Sequence, residues 1–403
     1  MEKRNYCVGM DCLKILSMLM IVCLHILGIG GVDSSCEGNQ TAYAMTWMLE
    51  IICLCSVNCY GLVTGFLSYD TKPAKLKIRK LIYLWVEVFF YGMLMTMISG
   101  LVSSNVSITY VEILEAALPI CFSQYWYFTA FAGVYLLSPW LNKLLSQTES
   151  KEDHALIGIV FILFSVYGTV TTFWNRDIFF LQRGYSFIWL AILYLFGAYL
   201  RKYADDFKRI KSSYLIAAYV AVNALMFIYK MMGNVGIVKK LGENMFLMYT
   251  SPLMLCSAVC LVLLFYRIHI NSEKTKKMIM WLSSSSFAVY LIHVQPVFFK
   301  YIFTGSFGWI AKQKWALIPG LVVLCGICIY IVCVSFDQLR QRLFRITGIQ
   351  NIVNLRERRL LKHGICNGKK QQIVVSPIDI LISFVHCFFH CESVRRNCYH
   401  TFS

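Results

Sequence analysis

The sequence predicts an all-α integral membrane protein of about ten transmembrane helices, with both termini cytoplasmic. Three observations carry that prediction. The 403 residues are 58% hydrophobic and 15% charged, with a mean hydropathy of +0.61; a soluble chain of this length carries about 25% charged residues. Apolar runs of about 20 residues, the length that crosses a bilayer, recur along the chain. Basic residues collect in alternate connections, as they do in cytoplasmic loops.

The spans fall near 10–30, 43–68, 80–102, 122–141, 155–173, 185–200, 213–232, 246–266, 281–303 and 315–337. The fourth contains Pro139, and the sixth is short and carries Gly197. Lys3 and Arg4 precede the first span, and Lys72, Lys75, Lys77, Arg79 and Lys80 separate the second from the third. Arg201, Lys202, Lys208, Arg209 and Lys211 follow the sixth, Arg267, Lys274, Lys276 and Lys277 the eighth, and Arg340, Arg342 and Arg345 the tenth. The alternate loops are sparser in cations, with Lys239, Lys240, Lys312 and Lys314 as exceptions. An odd number of spans destroys this alternation.

The net charge of +17 is therefore a membrane pattern, and no basic, aromatic-interleaved soluble domain exists to hold nucleic acid. The 17 cysteines are scattered through apolar runs as small hydrophobes, without disulfide spacing. The first run lacks a small-residue cleavage site and reads as an anchor, not a removed signal. Residues 1–340 form one transmembrane domain. Residues 341–403 form a basic, Cys/His-containing cytoplasmic tail. Its start (338–363) suits either a helix on the anionic inner surface or a solvated tail. His386, Cys387, His390, Cys391, Cys398 and His400 fit no familiar zinc spacing, and no metal is expected.

Chemistry points first to Lys14 and His25 in DCLKILSMLMIVCLHILGIGG. Ionisable residues inside a membrane helix are costly and mark function by default. Eleven residues are about three turns, so both side chains share one face, roughly 16 Å apart. His25, past the midplane, is a candidate general base or proton relay. Lys14 either snorkels to the inner interface or anchors an anionic ligand. Asp11 lies one turn before it and can orient it. Glu50, in the outer half of the second span, is a candidate partner for His25, as the carboxylate is in hydrolase triads. Glu87, Asn58, Tyr60 and Thr64 are further polar residues that also fit as helix–helix glue. Trp126 and Tyr127 suit an interfacial belt. His293 lies mid-span, and Pro296 is expected to kink the helix after it.

Several segments together resemble acyltransferase family 3, integral-membrane O-acyltransferases that modify carbohydrates. The family's first span carries an acidic residue, a basic residue a turn later and a histidine eleven residues on; here these are Asp11, Lys14 and His25. Arg is frequent where Lys14 stands; Lys keeps the charge and loses the fork. VTGFL at 63–67 resembles the family's Ser-Gly-Phe/Tyr-Leu turn, with Gly65 as its glycine. Lys77, Arg79 and Lys80 blur the paired arginines that precede the third span. QYWYFTAFAGVYLLSPWL, with Trp126 and Tyr127, and SFAVYLIHVQPVF, with His293, resemble two later segments.

The resemblance covers about residues 5–340 and omits the tail. It implies a cell-membrane enzyme that moves an acyl group, usually acetyl, from cytoplasmic acyl-CoA to a sugar hydroxyl of a cell-surface or secreted polysaccharide. It has acetyl-CoA as co-substrate and no permanently bound cofactor. Lys14, Lys77, Arg79 and Lys80 would meet the CoA phosphates. His25 would act as base or acyl acceptor, with Glu50 beside it. Asp11, Gly65, Trp126, Tyr127 and His293 would line or support the site. The competing reading is a transporter of a glycan or small solute without catalysis, although no internal repeat is visible. The partners are the donor, the carbohydrate acceptor and the lipid bilayer.

Overall fold

A computed structural model describes residues 6–36, 38–69, 76, 78–102, 108–122, 124–233 and 235–349. The described residues are 80% helical and contain no strand. Twelve helices frame the site. They are α1 (Val8–Leu27), α2 (Gln40–Leu54), α3 (Ser56–Ser68), α4 (Ile78–Val102), α5 (Trp126–Gln147) and α6 (Ser150–Val160). The others are α7 (Phe187–Lys202), α8 (Ser212–Met231), α9 (Pro252–Tyr266), α10 (Glu273–Ser284), α11 (Ser286–His293) and α12 (Ile318–Ile346).

Local chemistry sets several helix starts. Asn39 caps α2 by accepting from the Ala42 amide, and Ser186 caps α7 by accepting from Trp189. Glu149 and Glu152 form a reciprocal capping box at α6. Pro252 opens α9, where its missing N–H costs nothing.

Seven segments among the described residues are long and apolar enough to cross a membrane: Val8–Leu27, Gln40–Ser68, Ile78–Val102, Ser150–Trp174, Ser212–Met231, Met245–Tyr266 and Trp315–Ile346. Glu273–His293 and Pro296–Lys312 make an eighth if that pair, bent by 58°, counts as one. The protein is thus a multi-pass helical membrane protein.

The expected fourth and sixth spans are present as helices α5 and α7 but fail the same measure. The second half of α5 carries Asn142, Lys143 and Gln147. With 16 residues, α7 rises about 24 Å, less than the ~30 Å hydrocarbon core. It lies buried in the bundle, with Trp189, Leu193, Tyr194 and Ala198 enclosed.

Two further expectations change. The helix expected to end near 337 runs on to Ile346, through the anticipated boundary at 340. Arg340, read as a loop cation, is buried there. Its guanidinium pairs with Asp337 at 2.7 Å and with Glu87 of α4 at 3.1 Å, and Tyr91 donates to Asp337 at 2.8 Å. The remaining tail from 350, with its Cys/His residues, lies outside the described residues.

The VTGFL segment is not a turn. Thr64 and Gly65 lie inside α3, in a GLVTG sequence packed on α7. A Cβ on Gly65 would sit 1.9 Å from the Tyr194 carbonyl oxygen, and one on Gly197 would sit 2.0 Å from that of Leu62. Two backbones meet here because small residues allow it. Asn58 adds polar glue to the same seam: its amide donates to the Tyr249 carbonyl at 2.8 Å and accepts from the Trp189 indole at 3.1 Å.

This seam predicts that Gly197→Leu destabilises the protein by on the order of 3 kcal/mol, because the helices must separate. Gly158→Ala, at a position with open space around it, should leave stability unchanged or slightly raised. Thermal melting of the detergent-purified variants checks both, and equal melting of Gly197→Leu and wild type would refute the seam.

Candidate functional site

The face of α1 that carries Lys14, Met18, Ile21 and His25 turns inward. Spacings of four, three and four residues put these positions on one side of the helix. Met18, Ile21 and His25 line a cavity of about 410 Å³ closed by residues of α2, α3, α5 and α11 and the segments beside them. Glu50, Tyr60, Trp126, Tyr127, Tyr185, Tyr249 and Tyr290 are among its walls. It is largely aromatic, with few polar groups converging on it, as small-molecule sites tend to be.

His25 does not pair with Glu50. Its Nδ1 lies 2.9 Å from Nε2 of His293. The other nitrogen of His293, Nδ1, lies 2.6 Å from the Val289 carbonyl oxygen. A carbonyl only accepts, so His293 Nδ1 carries the hydrogen. In the neutral ring Nε2 is then an acceptor, and His25 Nδ1 must donate to it. The proton of neutral His25 is thereby placed on Nδ1, and Nε2 is left with a lone pair. Among the described residues nothing bonds to that Nε2. A base with a fixed tautomer therefore borders the cavity.

The helix break holds this relay in place. α11 ends at His293, and Pro296, which has no N–H, opens the next turn. The carbonyls before the break need other donors. The Tyr125 hydroxyl donates to Leu291 at 3.1 Å. The Gln295 amide donates to Thr96 at 2.8 Å, and its oxygen caps Phe298 at 2.8 Å. Phe299, from the bent segment, sets its ring edge-on to His25 at 5.2 Å. The kink expected from Pro296 is present and borders the cavity.

Glu50 lines the same cavity, and its Oε2 is buried without a hydrogen-bond partner among the described residues. The cavity thus keeps Glu50, but as a separate acceptor on another wall. Trp126 and Tyr127 also line it, and Trp126 packs on Tyr185 with ring centroids 4.9 Å apart. Gly65 lines no part of it, because it is consumed by the seam with α7.

Lys14 lies at the other end of α1. Its ammonium bonds Asp11 at 2.9 Å, the i,i+3 contact expected. Asp11 also accepts from Tyr6 at 2.7 Å and from Ser283 at 2.8 Å. Lys14 is not in the cavity lining. Met18, one turn further on, is the cavity's nearest α1 residue, and the Tyr60 hydroxyl donates to the Lys14 carbonyl at 2.9 Å. Lys14 and His25 thus share a stripe that Tyr60 and Met18 interrupt. Arg79 and Lys80 are exposed at the start of α4, with Lys80 over the Tyr135 ring at 5.4 Å. Lys77 lies outside the described residues. A cavity of about 580 Å³, lined by Arg201, Lys208, His269 and Lys276 among others, opens at the same end as Lys14; it shares no residue with the His25 cavity.

Several site residues escaped sequence reasoning in their roles. His293 was legible as a mid-span polar residue, but not as the partner of His25; they are 268 positions apart. Tyr185 and Tyr249 gave no signal, since aromatic residues are common at membrane edges.

The architecture defines a multi-pass helical membrane protein with a hydrogen-bonded histidine pair facing a largely aromatic cavity. The chain belongs to acyltransferase family 3: the family model described as an acyltransferase domain matches residues 8–337. No curated protein and no solved structure matches the chain. The family places the protein with acyltransferases, and the transporter reading is not carried forward.

The tautomer assignment predicts a spectroscopic signature. Histidine-selective ¹⁵N spectra of the purified protein should show His25 and His293 both protonated at Nδ1. In His293→Phe, which removes the acceptor, His25 should shift toward a mixture of tautomers. An Nε2-protonated His25 in the wild type would overturn the relay as drawn.

Proposed function

We propose that this protein is a cell-membrane O-acyltransferase that moves an acyl group, acetyl as the simplest donor, from cytoplasmic acyl-CoA to a sugar hydroxyl of a cell-surface or secreted polysaccharide. The observation that carries this reading is the unpartnered Nε2 of His25 at the wall of the aromatic cavity. The fold is read here with ten spans, α5 and α7 included, and with both termini cytoplasmic; the loop cations support that orientation. The Lys14 end then faces the cytoplasm and the His25 end faces outward.

In this reaction His25 Nε2 takes the proton of the acceptor hydroxyl as its oxygen attacks the thioester carbonyl. The tetrahedral intermediate collapses, the carbon–sulfur bond breaks, and the thiolate recovers the proton from His25. While His25 is protonated, its Nδ1–H stays bonded to the neutral His293 Nε2, which holds the ring in orientation. An acyl-imidazole on the same Nε2, formed first and then attacked by the hydroxyl, needs the same lone pair. Glu50 offers its unpartnered oxygen to a second acceptor hydroxyl.

The donor's phosphates are held at the cytoplasmic end by Lys14, Arg79, Lys80 and Lys77. The thioester must then travel the roughly 16 Å of stripe from Lys14 to His25, past Tyr60. No group beyond the chain's own residues is needed for the chemistry, and acetyl-CoA enters as co-substrate.

Purified protein incubated with labelled acetyl-CoA and an envelope polysaccharide fraction should transfer base-labile label to glycan. His25→Ala should insert and fold but lose transfer by about 10²-fold or more. Near-wild-type transfer by that variant would remove His25 from the mechanism. Lys14→Ala should raise the KM for acetyl-CoA several-fold with little change in kcat, as loss of a ground-state contact does. An unchanged KM would move the phosphate site elsewhere.

A further inference from the structure

The His25 cavity is not closed at the end away from Lys14. It shares Glu50, Tyr185 and Tyr249 with a second compartment of about 340 Å³. That compartment shares Arg183, Asn244 and Met248 with a third of about 360 Å³. Adjoining through these shared residues, they make one groove along the end of the bundle, with His25 in the first compartment, Glu50 and Arg183 both on the wall of the second, and Arg176 in the third.

The groove is built, and its construction is strained. Phe180, Gln182 and Arg183 have φ of 52°, 50° and 56°, a left-handed run in non-glycine residues. Such outliers cluster at ligand clamps. Asp177 holds the run, accepting from the Leu181 amide at 2.8 Å and the Gln182 amide at 2.6 Å. The result places Arg183 where the second and third compartments meet.

The charges are arranged with a polarity. Arg176 and Arg183 are exposed, and no ion pair to either exists among the described residues. The acids near them are committed: Asp177 to backbone amides, and Glu243 to the buried Lys230 at 2.7 Å. Lys239 and Lys240 stand exposed on the helix Gly236–Leu241, whose Leu241 lines the third compartment. All four cations lie in connections expected to face outward, where the positive-inside rule predicts few. Lipid topology does not account for them.

Resting on the acyl-transfer reading, we propose that this groove is the acceptor subsite and that the acceptor is an anionic glycan, its carboxylate, phosphate or sulfate groups held by Arg176 and Arg183. The rings of Tyr185 and Tyr249, packed on each other with centroids 5.1 Å apart, offer an aromatic surface to the sugar rings. Glu50 accepts from a neutral hydroxyl between the arginines and His25. The cations at the end away from His25 fix which end of the glycan reaches it.

The test uses full-length protein in phosphatidylcholine nanodiscs and two probes with one backbone: a dextran sulfate oligosaccharide and the unsulfated dextran of equal length. Wild type should bind the sulfated probe at least about tenfold more tightly than the neutral one. Arg176→Gln/Arg183→Gln should lose that preference. Arg342→Gln/Arg345→Gln, exposed cations at the other end, should keep it. Equal affinity for both probes, no binding of dextran sulfate, or equal loss in both double variants would overturn the assignment. Displacement of the probe by phosphatidylglycerol at equal charge would assign the arginines to lipid instead and also overturn it. His25→Ala should bind as wild type does. Binding with this charge preference in a protein that transfers no acyl group would therefore sink the transferase reading alone.

Discussion

Everything at the site depends on one hydrogen bond, from His293 Nδ1 to the Val289 carbonyl. It decides the tautomer of His293, which decides that of His25, which leaves Nε2 free for chemistry. In water this bond would compete with solvent and fix little. Inside a bundle a buried polar group without a partner costs several kcal/mol, so the alternative tautomers are disfavoured by the groups they would orphan. His293 is 1% exposed, which makes that penalty apply in full. The broken helix is part of the same device. α11 ends at His293, Val294 and Gln295 make the break and Pro296 opens the next turn, and Tyr125 and Gln295 satisfy the backbone and side-chain groups around it.

Polar groups elsewhere in the bundle obey the same constraint with different chemistry. Arg340, Asp337, Glu87 and Tyr91 form a network, extended by Tyr83 and Gln341, in which the arginine touches both carboxylates. Breaking such a network by removing one partner costs about 3–5 kcal/mol in general. It joins the middle of α4 to the last third of α12 and so pins two long helices to each other. The α3–α7 seam does the reverse: it removes side chains so that backbones touch, with one asparagine bridging to Tyr249 and Trp189. That seam lies directly behind the cavity wall, since α3 contributes Val57 and Tyr60 to the lining.

Much of this was legible in the sequence, and the failures have physical causes. His25, Lys14 and Asp11 were readable because ionisable groups in an apolar run have no bland explanation on composition alone. Their spacing on a 3.6-residue helix then gave the shared face. The kink at Pro296 was readable for the same local reason. The His25–His293 pair was not, because periodicity carries no information on contacts between distant helices. Glu50 seemed the better partner on depth and charge, yet a neutral imidazole took that place. Gly65 was misread because a glycine permits both a turn and a close helix contact, and only the facing Tyr194 backbone decides between them. Arg340 was misread because basic residues at the end of an apolar run usually mark a loop; Asp337, one turn earlier, was the overlooked sign of an internal pair.

The interrupted stripe on α1 bears on how two substrates from opposite sides could meet without opening a leak. The cavity reaches to Met18, one turn from Lys14, and stops where the Tyr60 hydroxyl bonds the Lys14 carbonyl. The groove at the other end is continuous with the cavity through Glu50, Tyr185 and Tyr249. The cavity thus adjoins the groove at the end away from Lys14 and stops short of Lys14 at the other. What separates it from Lys14 is small: one phenol ring on α3 and one methionine, a flexible side chain that repacks readily. Tyr60 also packs edge-on to Tyr127 with ring centroids 6.2 Å apart, so a rotation there disturbs the wall on which an acceptor would lie. In the proposed reaction, a thioester arm that displaces Tyr60 reaches His25 and alters the acceptor wall in one movement. Donor arrival and acceptor positioning are then coupled by one shared side chain, while the rigid helices around it stay where the seam and the ion network hold them.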